Sequence, residues 1–359
     1  MTSKTRAVIG IVAIGVIVIV AFSTQLTRRE RGAGETGESL PAAATPSADY
    51  RWHAEEIMST LVEVLAPAGR DEQAANAVFA IFREVDAQMS EWKASSPLSE
   101  VNRQAGQNAV AVPADLREVI RRGLEIGKLT DGAFDITWAA LWGLWDFKAP
   151  VPQVPPEDEI DKRVPLVDYR KVTIDDAAGT VKLERPGMLI GLGGIAKGYA
   201  LERASAKLRE LGLTSFLLSA GGQVAAAGRR GDRLWRVGIR DPRGEASDYF
   251  AFLEVTDTSV STSGDYERYF IVDGIRYHHI LDPRTGKPSR GLRSATVICP
   301  DATLADALST ACMVLGRERA LTLIESLPDA EAVLVDEDAM VHVTSGLQER
   351  LQLEHPPAK

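Results

Sequence analysis

Apolar positions fall at helical spacing in four stretches of the chain and in alternating or short unbroken runs through most of the rest. Over 71–89, Ala75, Val78, Phe79, Phe82, Val85 and Met89 recur three and four residues apart, which predicts an amphipathic helix. Leu116, Val119, Ile120, Leu124 and Ile126 predict a second over 115–129. Ala200, Leu201, Ala204, Leu208 and Leu211 predict a third over 196–212, with Gly212 as its stop, and 303–316 reads as a fourth ending at Gly316. Strands are expected over 171–175, 180–185 and 187–192, on both sides of the Gly221–Gly222 turn, and over 235–242, 250–257 and 294–300. Val272-Asp273-Gly274-Ile275 is a two-residue hairpin signal, and 330–346 reads as a closing hairpin. Residues 149–165, rich in Pro and charge, are expected as a surface excursion. Strands and helices come in mixed blocks rather than in strict alternation, so the expected fold class is α+β with mixed, largely antiparallel sheets and packed helices.

One stretch fits no globular period. Residues 7–22 carry no charge and follow Lys4 and Arg6. Extended by Ser23 to Leu26, the run approaches the length that spans a hydrocarbon core of about 30 Å. Residues 1–28 are therefore expected to be a signal-anchor or signal peptide. Residues 29–49, rich in Gly, Ala, Ser, Thr and Pro, read as a flexible linker, 50–353 as the folded body and 354–359 as a tail. This places the body on the extracytoplasmic (periplasmic) side of the cell inner membrane, tethered or released.

Composition adds little to this and removes one class. The chain has 359 residues, 45% hydrophobic and 25% charged, with a formal net charge of −9. No Lys/Arg cluster lies downstream of residue 31, so a nucleic-acid surface is not expected. Cys299 and Cys312 are the only cysteines, readable as a disulfide in an oxidising compartment or as two small buried hydrophobes.

Four segments can carry chemistry. In "LIGLGGIAKGYA" (189–200), Gly191, Gly193 and Gly194 bend the chain into a helix start, where exposed N–H groups and Lys197 favour an anion. A purely conformational glycine turn explains the same pattern. Asp306 and Thr310 are four apart on a predicted helix and share a face, and a carboxylate with a hydroxyl can hold a hard cation such as Mg²⁺. The alternative is a capping box with Thr303 as N-cap and Asp306 at its third position. In 130–147, Phe134 and Asp135 precede three tryptophans within eight residues, enough to cover a flat ring system or to fill a core. Finally, His278 and His279 are adjacent, so strand alternation turns only one of them toward any site. A neutral imidazole is the usual proton acceptor for a hydroxyl nucleophile.

Read in order, "MSEWKASSPLSEVN", "TDGAFDIT", "GLGGIAKGYA", "LSAGGQVAAAG", "TSGDYERYF…YHHILDPRTGKP" and "ATVICPDATLADALSTACMVLG" resemble the FAD:protein FMN transferases, the ApbE-like family, from about Met58 to about Gly316. The resemblance implies an α+β fold and Mg²⁺-dependent splitting of FAD. FMN would go to a Thr hydroxyl of an acceptor protein, such as an exported or membrane redox subunit, and AMP would be released. It implies that Asp306, Thr310 and the main-chain oxygen of Gly194 bind Mg²⁺. It also implies that Met58, Trp92, Ala133, Phe134, Asp135, Gly191, Lys197 and Ile280 line the FAD site, and that His279 is the base. The chain has Gly191 where the family usually carries Asp, and "SEW" (90–92) where Ser-Thr-Tyr is more common. The same site could run as an FAD pyrophosphatase giving free FMN and AMP, and a non-catalytic exported flavin-binding protein is the remaining alternative.

Overall fold

The structure is a computed structural model that describes residues 49–359, so the expected membrane segment and nearly all of the linker lie outside the described residues. Among the described residues, no helix is long and apolar enough to cross a membrane. The body begins with a hairpin, β1 (Tyr50–Ile57) and β2 (Thr60–Pro67), followed by α1 (Asp71–Met89), α2 (Pro97–Arg103), β3 (Val110–Ala111) and α3 (Ala114–Leu129). Next come α4 (Glu157–Arg163), β4 (Val172–Asp175), β5 (Thr180–Leu183), α5 (Ala196–Glu210), β6 (Phe216–Ala220), β7 (Gln223–Ala227), β8 (Trp235–Arg240), β9 (Tyr249–Val255) and β10 (Thr258–Gly264). The chain closes with β11 (Tyr269–Val272), β12 (Ile275–His278), β13 (Leu281–Asp282), β14 (Lys287–Pro288), β15 (Leu292–Cys299), α6 (Ala302–Leu315), α7 (Arg317–Glu325), β16 (Glu331–Asp336), β17 (Val341–Val343) and β18 (Gln352–Leu353).

The frame is an eight-stranded sheet in the order β1-β2-β6-β7-β10-β15-β16-β17, every neighbour antiparallel. Both faces are covered, which explains why β6, β15 and β16 are buried along nearly their whole length. Period-two alternation assigns each residue a side. Phe216, Leu218 and Ala220 face the layer of α1 and α5, while Leu217 faces the opposite side. Ala332 and Leu334 pack in the cluster of α6 and α7, while Val333 and Val335 pack with Trp235, Val237, Phe250 and Leu253 of the small sheet β8-β9-β18. The fold is α+β with antiparallel sheets, as its patterning suggested.

Three elements depart from the sequence reading. Residues 187–192 form no strand beyond one parallel bridge, Trp138 to Leu189. The Asn102 side chain takes the place of a neighbouring strand there: its Oδ1 accepts Ile190 N–H (2.7 Å) and its Nδ2 donates to Ile190 O (2.9 Å). The excursion 149–165 contains α4, whose Ile160 is buried against Trp145 and Phe270. The β1–β2 hairpin, unmarked by Gly or Pro, turns on Met58 and Ser59, both at positive φ (55° and 57°).

Candidate active site

The glycine bend precedes α5, and its glycines answer to space rather than to backbone sign. None of Gly191, Gly193, Gly194 and Gly198 has positive φ. A Cβ on Gly191 would stand 3.0 Å from the Trp138 indole and 3.1 Å from Ala139 Cβ. One on Gly194 would stand 3.2 Å from the Phe134 ring and 3.4 Å from Thr310 Oγ1. On Gly198 it would meet Ala302 O at 2.3 Å and Asp306 Cβ at 2.7 Å, because α5 and α6 cross there in near-backbone contact. The bend is thus wedged between the 134–139 segment and the face of α6 that carries Asp306 and Thr310.

Asp306 has a structural task in that crossing. Ile195, at the N-cap position of α5, makes no side-chain cap. Asp306 Oδ2 instead accepts Gly198 N–H (2.9 Å), satisfying a first-turn donor from a different helix. Its Oδ1 accepts Gln223 Nε2 (3.1 Å). The carboxyl is almost wholly buried, and burial raises its pKa against the lowering effects of Lys197, Gly198 and Gln223. The alternative reading, a capping box at Thr303, is not formed: α6 is capped by Asp301, which accepts Leu304 N–H (2.8 Å), and Thr303 bonds Glu202.

One turn on, Thr310 Oγ1 lies 3.3 Å from Ser263 Oγ, which is 2.8 Å from Ser309 Oγ. Asp306 and Thr310 thus share one face of α6, with Gln223 bonded to the first and Gly194 and Ser263 against the second. Ser263 and Gln223 were missed from sequence; both sit beside glycine turns in quoted segments, but their types carry no distinctive spacing. Gln223 Oε1 is buried without a partner beside the carboxylate, an orphaned acceptor that a bound cation would satisfy. The donor set is all oxygen with a single carboxylate, and no group of three or more His, Cys, Asp or Glu is poised to hold a metal among the described residues. That suits Mg²⁺, which keeps waters and substrate phosphates in its shell, better than a closed protein cage.

Lys197 leans back over the bend, donating to Gly193 O (3.0 Å). It sits within electrostatic reach of Asp306, Glu91, Glu267 and His279. His279 follows directly after β12 and donates its backbone N–H to Arg268 O (3.0 Å), while its Nδ1 has no partner. Burial, then the cations Arg268 and Lys197 with His278, push its pKa down to about 3, so the ring is neutral at ordinary pH. His278 is spent on structure: its Nε2 bonds Ser289 O at 2.8 Å. Ile280 is buried in the same apolar cluster as Ala133.

The aromatic segment divides its labour. Trp145 is core, stacked on Tyr277 (5.5 Å) and bonded to Gly286 O (2.8 Å). Trp138 donates its Nε1 to Gly191 O (3.0 Å) and stands edge-on to Trp142. Trp142 in turn stacks on Trp92 at 4.3 Å and 24°, and Trp92 is 72% exposed. An open indole face therefore rises beside the glycine bend. Asp135 is buried with both oxygens occupied: Oδ1 accepts the N–H and hydroxyl of Thr137 (2.7 and 2.6 Å) and Oδ2 accepts Tyr169 N–H (2.9 Å). It positions the segment that carries Phe134. Met58 lies at the β1–β2 turn, half-buried against the core, and that turn abuts the Gly221–Gly222 turn before Gln223, where a Cβ on Gly221 would stand 2.5 Å from Thr60 Oγ1. A cleft of about 620 Å³ lies elsewhere, along β8, β9 and the C-terminal segment. Its charged lining is already paired, Arg236 with Glu354 (2.6 Å) and Asp241 with Ala358 N–H (2.8 Å), so the convergent polar groups at the bend are the better site.

Known proteins share this sequence and fold. Residues 58–334 match the model of the ApbE family. The chain is 34% identical over 319 residues to the FAD:protein FMN transferase of Treponema pallidum, covering 84% of this chain and 88% of that one. Among solved structures, it superposes on the ApbE protein of Thermotoga maritima with a TM-score of 0.77 at 34% identity, over 84% of this chain and 98% of that one. The flavinyl transferase ApbE of Pseudomonas stutzeri, in its apo form, gives 0.75 at 30% identity, over 84% and 97%. With its glycine bend, paired helix residues and neutral histidine on that fold, the chain belongs to the ApbE family.

Proposed function

We propose that the chain is an FAD:protein FMN transferase, moving FMN from FAD to a Thr hydroxyl of an acceptor protein with release of AMP. The observation that carries the reading is the convergence of Gly194, Asp306 and Thr310 at the α5–α6 crossing, within the electrostatic reach of a cation, Lys197, that it shares with a neutral His279. Asp306, Thr310 Oγ1 and the Gly194 carbonyl would hold Mg²⁺, which supplies charge neutralisation at the diphosphate when bound. The α5 N-terminus and Lys197 add fixed positive potential for phosphate oxygens. Trp92 offers its face to a flat ring system, backed by Trp142. Phe134 walls the bend, and Gly191 leaves room for Trp138 rather than for a carboxylate.

In the transfer, neutral His279 accepts the proton of the incoming Thr hydroxyl, a contribution of roughly 10²–10⁴-fold. A bond forms from the Thr oxygen to the FMN-side phosphorus, and the bond from that phosphorus to the AMP oxygen breaks, AMP keeping the electron pair. The N-terminal 1–28 would anchor the body on the periplasmic side of the inner membrane, where exported redox subunits are the acceptors. Incubating the full chain with FAD, Mg²⁺ and such subunits, then reading in-gel flavin fluorescence, tests the reading. Flavin fixed to protein is the expected result; free FMN and AMP alone would assign a pyrophosphatase, and intact FAD a passive binder.

A further inference from the structure

The hairpin that leads into His279 stands outside the larger sheets. β11 and β12 form a sheet of two strands, turned by Asp273 and Gly274 at φ 51° and 79°. Two strands leave two outer edges, and the edges differ. On β12, Arg290 Nη1 donates to Arg276 O (2.7 Å). On β11, the bond from His279 N–H to Arg268 O puts Arg268 among the residues that bond inward. Antiparallel ladders alternate, so Phe270 and Val272 also bond inward while Tyr269 and Ile271 present N–H and C=O outward. Among the described residues, no backbone group pairs with Ile271 on that side, and the residue is 39% exposed. Open edges of this kind are templates for another chain.

The edge is continuous with the candidate site. The N-terminal end of β11 adjoins Arg268, whose carbonyl accepts His279 N–H (3.0 Å), and a turn over 265–268 leads back to Ser263 of β10, whose hydroxyl lies 3.3 Å from Thr310 Oγ1. Arg268, at the N-terminal end of this edge, makes no salt bridge among the described residues and has Glu91 and Glu267 within electrostatic reach, while Arg290 belongs to the opposite edge.

We infer that the acceptor protein docks by strand addition: an extended segment of it pairs with Tyr269 and Ile271 on the open edge of β11, whose N-terminal end adjoins His279 through Arg268, and this carries its hydroxyl-bearing residue toward His279. The inference rests on the transferase reading. Main-chain pairing gives the segment a fixed direction and depth.

Ile271→Pro tests it. Proline is tolerated on edges and removes the outward N–H without touching an internal ladder bond. Ile271→Thr keeps the N–H and serves as control. The probe is an exported redox subunit that the native full-length enzyme flavinylates. The expected result is a KM for that subunit at least about tenfold higher in Ile271→Pro, near-native in Ile271→Thr, with FAD binding and Mg²⁺-dependent release of AMP into water unchanged in both. Unchanged transfer in Ile271→Pro, or equal losses in both variants, would overturn strand addition. So would a native dimer that Ile271→Pro converts to monomer with transfer intact, which would assign the edge to a second copy of the chain. Transfer to no subunit by the native enzyme would remove the transferase reading itself, a separate outcome.

Discussion

Replacing Gly198 by Ala sets two physical effects against each other. Gly198 lies in the first turns of α5, and helix propensity alone makes Gly→Ala stabilising by about 1 kcal/mol. The crossing with α6 says the opposite. The new Cβ would stand 2.3 Å from Ala302 O, 3.0 Å from Ala302 C and 2.7 Å from Asp306 Cβ. Two of these atoms are helix backbone, so no rotamer change relieves them, and the helices must separate by about 1 Å to reach ordinary contact. Overpacking of this kind costs about 1–3 kcal/mol, and a backbone clash belongs at the upper end. The net expectation is destabilisation of about 2 kcal/mol, read as a drop of several degrees in Tm. The same separation lengthens the Asp306–Gly198 bond and moves the carboxylate relative to Gly194. Titrating Mg²⁺ in the AMP-release assay should therefore show a higher half-saturating concentration in the variant. A Tm equal to or above native, with an unchanged Mg²⁺ titration, would mean that the crossing is looser than described and that Asp306 is not held by α5.

Further outcomes follow from the same site. His279→Ala should keep FAD binding and lose about 10²–10⁴-fold in transfer; a native rate would remove the residue from the base role. Because His279 is held neutral with a pKa near 3, the transfer rate should show no ionisation near pH 6.5, and a step there tracking with His279 would contradict the burial argument. The same depression sets a sign for stability. The unfolded chain binds the proton at this residue below about pH 6.5 and the folded chain does not, so its contribution is lost as pH falls from there toward 3, measurable as a declining Tm. Asp306→Ala should lose the Mg²⁺ response and also about 1 kcal/mol of stability through the lost cap on α5; an unaltered Tm would deny the capping role. Trp92→Ala removes an exposed indole and should leave stability within about 0.5 kcal/mol while raising the KM for FAD; an unchanged KM would place the flavin elsewhere.

What was legible in the chain was whatever a single period or a single turn controls. The spacing of Ala75 through Met89 marked α1 because one face of that helix meets the sheet. The Asp273-Gly274 pair marked β11–β12 because only a turn with positive φ joins them so tightly. Asp306 and Thr310 were recognisable as one helix face, and the structure brings that face against Gly194. What depended on a distant partner was not legible. No local rule shows that the Asn102 amide replaces a strand beside Ile190, or that Asp306 caps a helix other than its own. Three tryptophans with the same spacing signal separate into one core residue, Trp145, and two at the bend, because the partners Gly286, Gly191 and Trp92 come from elsewhere in the chain.

The strand order of the large sheet also shapes how this molecule is made. β2 pairs with β6, Leu65 opposite Leu217, so the first hairpin waits some 150 residues for its inner neighbour. Sheets closed across such separations assemble slowly, since loop-closure entropy is spent before the contacts that reward it exist. Until β6 arrives, Val62 and Val64 have only helices to shelter them. Chain termination before about residue 220 would therefore leave an apolar strand edge with nothing to pair it, and shortened forms of this body are expected in aggregates rather than as folded fragments.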